Sequence, residues 1–287
     1  MLFRSVPPFP FDDVRRRIEQ ELGAPIEDVF LTFYEEPEAA ASLAQVHRAI
    51  LPIGKTVAVK IKRPGIDAQI RDDIQIMYQI AGLVDNYTNI SRAMSAIDIV
   101  QEFERQMEQE LDFYQELLSV KKFQDDFSND KTIYVPKVYD DYTTRHVLVL
   151  EFIHARKVSW IIEHNDGRFD KKLINRRTSD FIMQQLFITG FFHADPHPGN
   201  FMVLEDNIIC FIDFGMVYSL RPYEQENINF MMIGLAWKDS ILVSRSLLRL
   251  TRSEYKVDAE AFRAAVYDYI ENHLDKPLAY IDLPRAL

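Results

Sequence analysis

Basic charge is what this sequence of 287 residues is short of: 33 lysines and arginines stand against 44 aspartates and glutamates, a formal net charge of −11. Binding through nucleic-acid phosphates needs a basic surface, so the balance argues against nucleic acid as the main partner. Cysteine occurs once, as Cys210, so no disulfide can form within the chain, and a reducing compartment is the expectation. Cys210 lies in the apolar run Ile208-Ile209-Cys210-Phe211-Ile212 and reads as a small buried hydrophobe. No uninterrupted apolar run reaches the ~18 residues that a membrane-spanning helix needs. The opening MLFRSVPPFPFDD holds no stretch long enough for a signal peptide. There is no internal repeat and no low-complexity tract. Glycine is scarce at nine, so each one beside a motif carries more information. With 47% hydrophobic and 27% charged residues, the composition is that of a globular chain of about two domains, which excludes disordered, collagen-like and disulfide-scaffold classes.

The patterning predicts a β-rich half with inserted helices, followed by an α-rich half. Phe11–Leu22 reads as a helix, and Val29–Tyr34, Ala44–Leu51 and Thr56–Lys62 as strands. The last two strands form a hairpin across Pro52-Ile53-Gly54-Lys55. Ile66–Tyr87 is a helix beginning just after Pro64-Gly65. Ile97–Phe123 is the longest helical pattern, with Phe103, Met107, Leu111 and Leu118 as one apolar stripe expected to pack in the core. Ile133–Val138 and His146–Phe152 read as strands. The remainder from about Val158 is helical, apart from short strands at Phe201–Leu204 and Ile208–Ile212, and a further helix is expected at Asp180–Thr189. This is an α+β chain in two lobes, with the seam near Glu151–Arg156.

Three polar clusters carry the chemistry. Val57-Ala58-Val59-Lys60 ends an apolar strand on a lysine. Its bland reading is a solvated strand end; its functional reading is a lysine held against nucleotide phosphates, as in the kinase pattern V-A-I-K. His193-Ala194-Asp195-Pro196-His197-Pro198-Gly199-Asn200 is a rigid irregular loop, and the Asp195-to-Asn200 separation equals that of H-R-D-x-x-x-x-N. There the carboxylate orients or deprotonates a nucleophile, and the amide oxygen ligates Mg²⁺. A His-Asp-His zinc site is the rival reading, but no further ligand cluster supports it. Phe211-Ile212-Asp213-Phe214-Gly215 supplies the D-F-G element whose aspartate binds Mg²⁺. The order Lys60, Asp195, Asn200, Asp213, each in the fitting strand or loop, points to a bilobal protein-kinase-like fold. Such a fold needs an acid on a later helix to hold the lysine. Glu110, Asp112 and Glu116 are the candidates. On one continuous helix Glu110 and Glu116 would lie ~120° apart and could not both meet Lys60 in the same way. Glu116 is the first choice and Glu110 the second.

The run EAAASLAQVHRA (Glu38–Ala49), together with ELDFYQE, HADPHPGN, DFG and VPPFPF (Val6–Phe11), resembles the UbiB family of atypical protein-kinase-like proteins, the aarF-domain-containing kinases. The resemblance spans nearly the whole chain. It divides the chain into an N-terminal helical extension over 1–28, a kinase-like N-lobe over 29–152 and a kinase-like C-lobe over 153–287. It implies binding of ATP or ADP with Mg²⁺, and ATPase or phosphotransferase activity linked to ubiquinone, other isoprenoid-quinone or lipid metabolism. It also implies a cytoplasmic protein with peripheral association to membranes, and a lipid or quinone precursor as partner.

Carried over residue by residue, Ala39, Ala40, Ala41 and Ser42 form an alanine-rich nucleotide loop in place of a glycine-rich one. Ala58 lies beside Lys60 on the nucleotide side. Lys60 contacts phosphate and Glu116 partners it. Glu110 and Asp112 form the family's acidic pair. Glu151 and Ile153 line the adenine seam. Asp195 is the catalytic-loop acid, and Asn200 and Asp213 are the metal ligands. Two departures stand out. The upstream Lys-x-Gly-Gln motif is missing, since no lysine precedes Glu38, and family members usually continue past the equivalent of Leu287. The chain therefore reads as a fragment or a short member. The competing functions are a small-molecule phosphotransferase, whose catalytic loop has the same form, and a nucleotide-gated scaffold for lipid enzymes.

Overall fold

The structure, a computed structural model, describes residues 6–87, 95–164, 167–251 and 258–273. These form two compact units: one takes the described residues up to Ile182 and then His193–Val217, the other Met183–Phe192 and the described residues from Tyr218 onward. Strands gather in the N-terminal region and the remainder is mostly helical, so the fold is α+β.

The first unit opens with helix α1 (Phe11–Leu22), whose buried Val14 and Ile18 lie four apart on one face. Gly23 closes it at φ 70°, a left-handed conformation that glycine takes without a Cβ penalty. A single turn, α2 (Ile26–Val29), leads into β1 (Thr32–Ala40), β2 (Ala44–Ile50) and β3 (Thr56–Lys62). With β5 (Val147–Glu151), the last three build an antiparallel sheet in the order β1-β2-β3-β5. On β3 the alternation is direct: Val57, Val59 and Ile61 are buried against Val14, Ile18, Ile26 and Phe30. Each such side chain contributes about 1.5–3 kcal/mol by leaving water.

After β3 come α3 (Ile66–Tyr87), α4 (Ala96–Glu110) and α5 (Phe113–Asp126). Asp85 on α3 accepts the first backbone N–H groups of α4 from Ala96 at 2.8 Å and Ile97 at 3.2 Å, and Ile74, Ala81 and Val100 pack between the two helices. The long helix expected over Ile97–Phe123 is thus two helices. Asp112 breaks it: its backbone is extended (φ −113°, ψ 94°) and its side chain accepts the Tyr114 N–H at 3.0 Å, capping α5. Aspartate competes with the helix by bonding the backbone locally, and it is favoured at such a cap. The expected stripe breaks with it. Met107 packs beside the Val100 cluster, but Phe103 is 37% and Leu118 46% exposed, while Leu117, at 1%, is the core residue of α5.

A second sheet, in the order β4-β9-β8-β6, consists of β4 (Ile133–Tyr134), β6 (Arg156–Lys157), β8 (Phe201–Val203) and β9 (Ile209–Phe211), with β4 and β9 parallel. The strand expected over Ile133–Val138 shrinks to β4 plus one bridge from Val138 to Leu150. Cys210 is fully buried on β9, and burial pushes its thiol up to about 12. Helices α6 (Val158–Glu163) and α7 (Lys171–Gln184) complete the run before the catalytic-loop motif. The helix expected over Asp180–Thr189 is the end of α7 followed by a π turn at Gln185–Thr189. Phe123, Phe127, Phe181, Phe201, Phe211 and Phe214 stack as one aromatic cluster with centroids 4.7–6.4 Å apart. Strands β7 (Phe191–His193) and β10 (Val217–Ser219) flank that motif and the D-F-G turn in the chain. The second unit holds α8 (Pro222–Trp237), α9 (Ser240–Leu250) and α10 (Ala259–His273). Gly234 lets α8 approach α9 closely, since a Cβ there would meet Val243 at 2.8 Å.

The split at Asp112 has a measurable consequence. Leu117→Ala should cost about 2–5 kcal/mol, whereas Leu118→Ala should stay within about 0.5 kcal/mol of wild type in chemical unfolding. Equal costs would restore the single-helix stripe.

Candidate active site

Because Val57, Val59 and Ile61 take one face of β3, Ala58, Lys60 and Lys62 share the other. Lys60 Nζ donates to both carboxylate oxygens of Glu116, at 3.0 and 2.8 Å, and lies 5.1 Å from the centre of the Phe113 ring. Glu116 stands in the first turn of α5 and is buried, and the Phe214 backbone beside it favours its charged form. Phe214 is itself sealed in the aromatic cluster. The helix therefore joins the β3 lysine to the Asp213-Phe214-Gly215 turn through one carboxylate. Asp213 turns its Oδ1 to the Gly215 N–H at 3.1 Å.

The charges do not balance. Burial disfavours the Lys60 ammonium, but Glu116, Asp213 and Glu110 outweigh it and push Lys60 up to about 12. Glu116 is also raised: burial disfavours its charged form and Asp213 repels it, against the attraction of Lys60. Opposite directions would be the rule for an isolated ion pair. Both partners rise here because burial raises Glu116 and the carboxylates around Lys60 outnumber the ammonium. Glu110 follows the same logic, raised by burial first and then by Asp213, with Glu116 and Asp195 adding repulsion. The break at Asp112 is what lets Glu110, the last residue of α4, and Glu116, on α5, both act on Lys60.

Asp195 sits in a turn cross-linked to its neighbours. Its N–H donates to His193 Nδ1 at 3.0 Å, and its carbonyl accepts from the His197 N–H at 2.8 Å and from Asn200 Nδ2 at 3.1 Å. The Ile212 N–H donates to the Asn200 carbonyl at 3.1 Å, tying this loop to the residue between β9 and Asp213. His193 is held below its usual range by burial, against the pull of Asp213 and Asp195. Its Nδ1 accepts a backbone proton, as does His197 Nδ1 from Gly199 at 3.0 Å. These histidines shape the turn. Among the described residues no three histidine, cysteine or acidic side chains gather closely enough to hold a metal by themselves, so the zinc reading has no site.

A magnesium ion fits these residues on other grounds. Mg²⁺ is normally held by one or two protein oxygens, with phosphates and waters filling the rest. Asn200 spends its amide nitrogen on Asp195, which leaves its hard oxygen for a cation, and the surplus of carboxylates favours one.

The other predicted residues have the following surroundings. The Asp112 carboxylate caps α5 and pairs with Arg145 at 3.2 Å. The Glu151 Oε2 accepts from Tyr134 Oη at 2.7 Å and from the Lys137 N–H at 3.1 Å, and the Glu151 N–H donates to the Lys137 carbonyl at 2.7 Å. Ile153 is half-buried just beyond it. Ala58 is paired between Arg48 and Leu150 in the sheet. Ala39 and Ala40 end β1 opposite Val46 and Gln45, and Ala41 and Ser42 begin the turn to β2.

Sequence reasoning missed three supports. Lys62, 1% exposed, donates to the Leu111 carbonyl and, at 2.8 Å, to Asp67, holding the α4–α5 break onto β3. Its spacing of two from Lys60 was the available signal. Buried Gln45 and His47 also alternate on β2. Gln45 accepts from the Phe9 N–H at 3.0 Å and meets His47 Nε2 at 2.7 Å, and His47 Nδ1 contacts the Tyr34 carbonyl at 2.9 Å. These contacts tie VPPFPF to the sheet, and burial holds His47 below its usual range.

Residues 1–247 match the model of the ABC1 atypical kinase-like domain. The chain is 32% identical over 286 residues to a probable protein kinase UbiB of Marinobacter nauticus, covering 98% of this chain and 52% of that protein. It is 34% identical over 274 residues to the chloroplastic protein Activity of bc1 complex kinase 7 of Arabidopsis thaliana, covering 94% and 39% respectively. The chain thus spans about half the length of the UbiB relatives. Among solved structures it resembles Rv3197 of Mycobacterium tuberculosis, determined with erythromycin, at TM-score 0.69 and 26% identity over 92% of this chain and 67% of that one. No described helix is long and apolar enough to cross a membrane.

The carboxylate surplus predicts a pH signature. Glu110 has a raised folded-state pKa, so the folded state holds its proton more tightly than the unfolded chain does. Its contribution is fully present below the ordinary value of 4.5 and is lost as pH rises through the higher folded value. Glu110→Gln should therefore raise the Tm of the ligand-free protein by roughly 2 °C at pH 8 and leave it unchanged near pH 4. A variant less stable than wild type at pH 8 would contradict the repulsion.

Proposed function

The chain belongs to the ABC1 atypical kinase-like family, and on that premise we propose that it binds ATP with Mg²⁺ and hydrolyses it or transfers its terminal phosphoryl group. The observation that carries this reading is the Lys60–Glu116 pair set among Asp213 and Glu110, one fixed ammonium in a pocket that still attracts a cation.

In this reading Glu116 aims Lys60 at phosphate oxygens. Ala39, Ala40, Ala41 and Ser42 cover the phosphates from above. Ala58, Glu151 and Ile153 line the adenine side. Asp213 and Asn200 would hold the metal, which when bound offsets charge building up on the transferring phosphoryl group. Asp195, held by the His193 and Asn200 contacts, orients the acceptor hydroxyl or water and receives its proton. The alanine Cβ atoms limit how closely the loop backbone approaches the phosphates, so turnover is slow. The resemblance to UbiB proteins supports a role in isoprenoid-quinone or lipid metabolism, with an acceptor presented at a membrane surface.

The test is ATP consumption by the purified chain, with and without liposomes and quinone-precursor headgroup analogues. Asp195→Asn should lower turnover by at least about 100-fold with the ligand-free Tm unchanged. Full hydrolysis in that variant would remove Asp195 from the role. A thermal shift with Mg²⁺-ATP but no turnover in wild type would make the chain a nucleotide-gated scaffold instead.

A further inference from the structure

The turn between β1 and β2 poses a structural problem that one arginine solves. Ala41 N–H donates to the Ala44 carbonyl at 2.8 Å, so Ser42 and Leu43 alone make the connection. Two-residue hairpin turns normally need positive φ, supplied by glycine or asparagine. Ser42 and Leu43 both keep negative φ. The Ala41 carbonyl instead accepts from Arg63 Nη2 at 3.1 Å, and the Ser42 carbonyl from Arg63 Nε at 3.2 Å. The Leu43 carbonyl accepts the Arg63 backbone N–H at 2.8 Å. The same guanidinium reaches the Pro7 carbonyl at 3.2 Å and lies 5.2 Å from the centre of the Phe9 ring.

We propose that Arg63 is the positioning residue of the alanine-rich loop: by turning the Ala41 and Ser42 carbonyls toward itself, it points the N–H groups of Ser42 and Leu43 the opposite way, as a two-amide cradle for an anionic oxygen. The geometry follows from the peptide bond. Every described peptide is trans, so each N–H points opposite to the carbonyl of its own plane. Successive N–H groups turned to one side form an anion-binding concavity. Planarity matters at Arg63, because a fork can serve several carbonyls at fixed angles and an ammonium cannot. The proposal deepens the nucleotide reading above and rests on it for the identity of the anion, a phosphate group of ATP.

The experiment compares the chain with Arg63→Gln and Arg63→Lys by amide hydrogen exchange without ligand, and by titration with Mg²⁺-ATP and with adenosine. Arg63→Gln should exchange the hydrogen-bonded Ala41 amide at least about tenfold faster and bind ATP about tenfold more weakly, with adenosine affinity unchanged. Arg63→Lys should restore neither the protection nor the ATP affinity. Unaltered exchange in Arg63→Gln, or equal losses for ATP and adenosine, would overturn the assignment. If the wild-type chain binds neither ligand, the nucleotide reading fails by itself, and the exchange comparison still decides whether Arg63 sets the loop.

Discussion

One part-buried ammonium among several carboxylates sets the terms for this molecule. Lys60 is part-buried, its side chain 28% exposed, and would be costly as an isolated charge, so Glu116 meets it with both oxygens. A buried pair of this kind gives little net stability, because desolvation consumes most of the attraction. What it gives is geometry. β3 can satisfy Lys60 only if α5 presents Glu116 at one depth and one rotation. The same carboxylate lies against the Asp213-Phe214-Gly215 turn, its Oε2 3.8 Å from where a Gly215 Cβ would stand. Asp213 and Glu110 leave the pocket over-supplied with negative charge, an arrangement that would waste stability unless something cationic completes it.

The helices around the pair are built to keep that imbalance. Continuous helix through Asp112 would carry Glu110 and Glu116 to different faces. The break at Asp112 returns both acids to one pocket, and it is secured from both sides. Asp112 caps the new helix and pairs with Arg145, while Lys62 holds the Leu111 carbonyl. Lys60 and Lys62 therefore act on the same side of β3, one on the pocket and one on the joint beside it. Phe123 and Phe214 meet beneath them at 5.4 Å, so the wall of the pocket is also part of the aromatic core.

Much of this was legible in the sequence because it depends on short-range pattern. α1, α3 and β3 fall at their predicted bounds, where alternation or periodicity was strong and glycine or proline punctuated the ends. Lys60 and Glu116 were named as partners from residue type and order, and they are in contact. The failures share a cause. Periodicity cannot see a side chain that bonds its own backbone, so Asp112 was read as a face of one helix when it is the cap of a second. Phe103 and Leu118 kept the apolar spacing of a core stripe across a break that had already ended it. Lys62, Gln45 and His47 were invisible for the opposite reason. Polar residues at alternate strand positions look solvent-facing until tertiary partners such as Leu111 and Phe9 are in place.

The alanine-rich loop shows how a local rule can be broken and compensated. Glycine would let a tight hairpin turn form and let its backbone move, at the cost of ordering a permissive chain each time a ligand binds. Serine and leucine at the turn disfavour the usual positive-φ geometry, and the carbonyls left over need a donor. Arg63 supplies it from the end of the lysine-bearing strand, and its reach to Pro7 anchors the N-terminal peptide at the same point. A loop whose carbonyls are held in this way needs less ordering when a ligand binds, and it has less of the adaptability of a glycine loop. In the nucleotide-binding reading proposed above, such an arginine clamp exchanges glycine freedom for a fixed set of carbonyl directions.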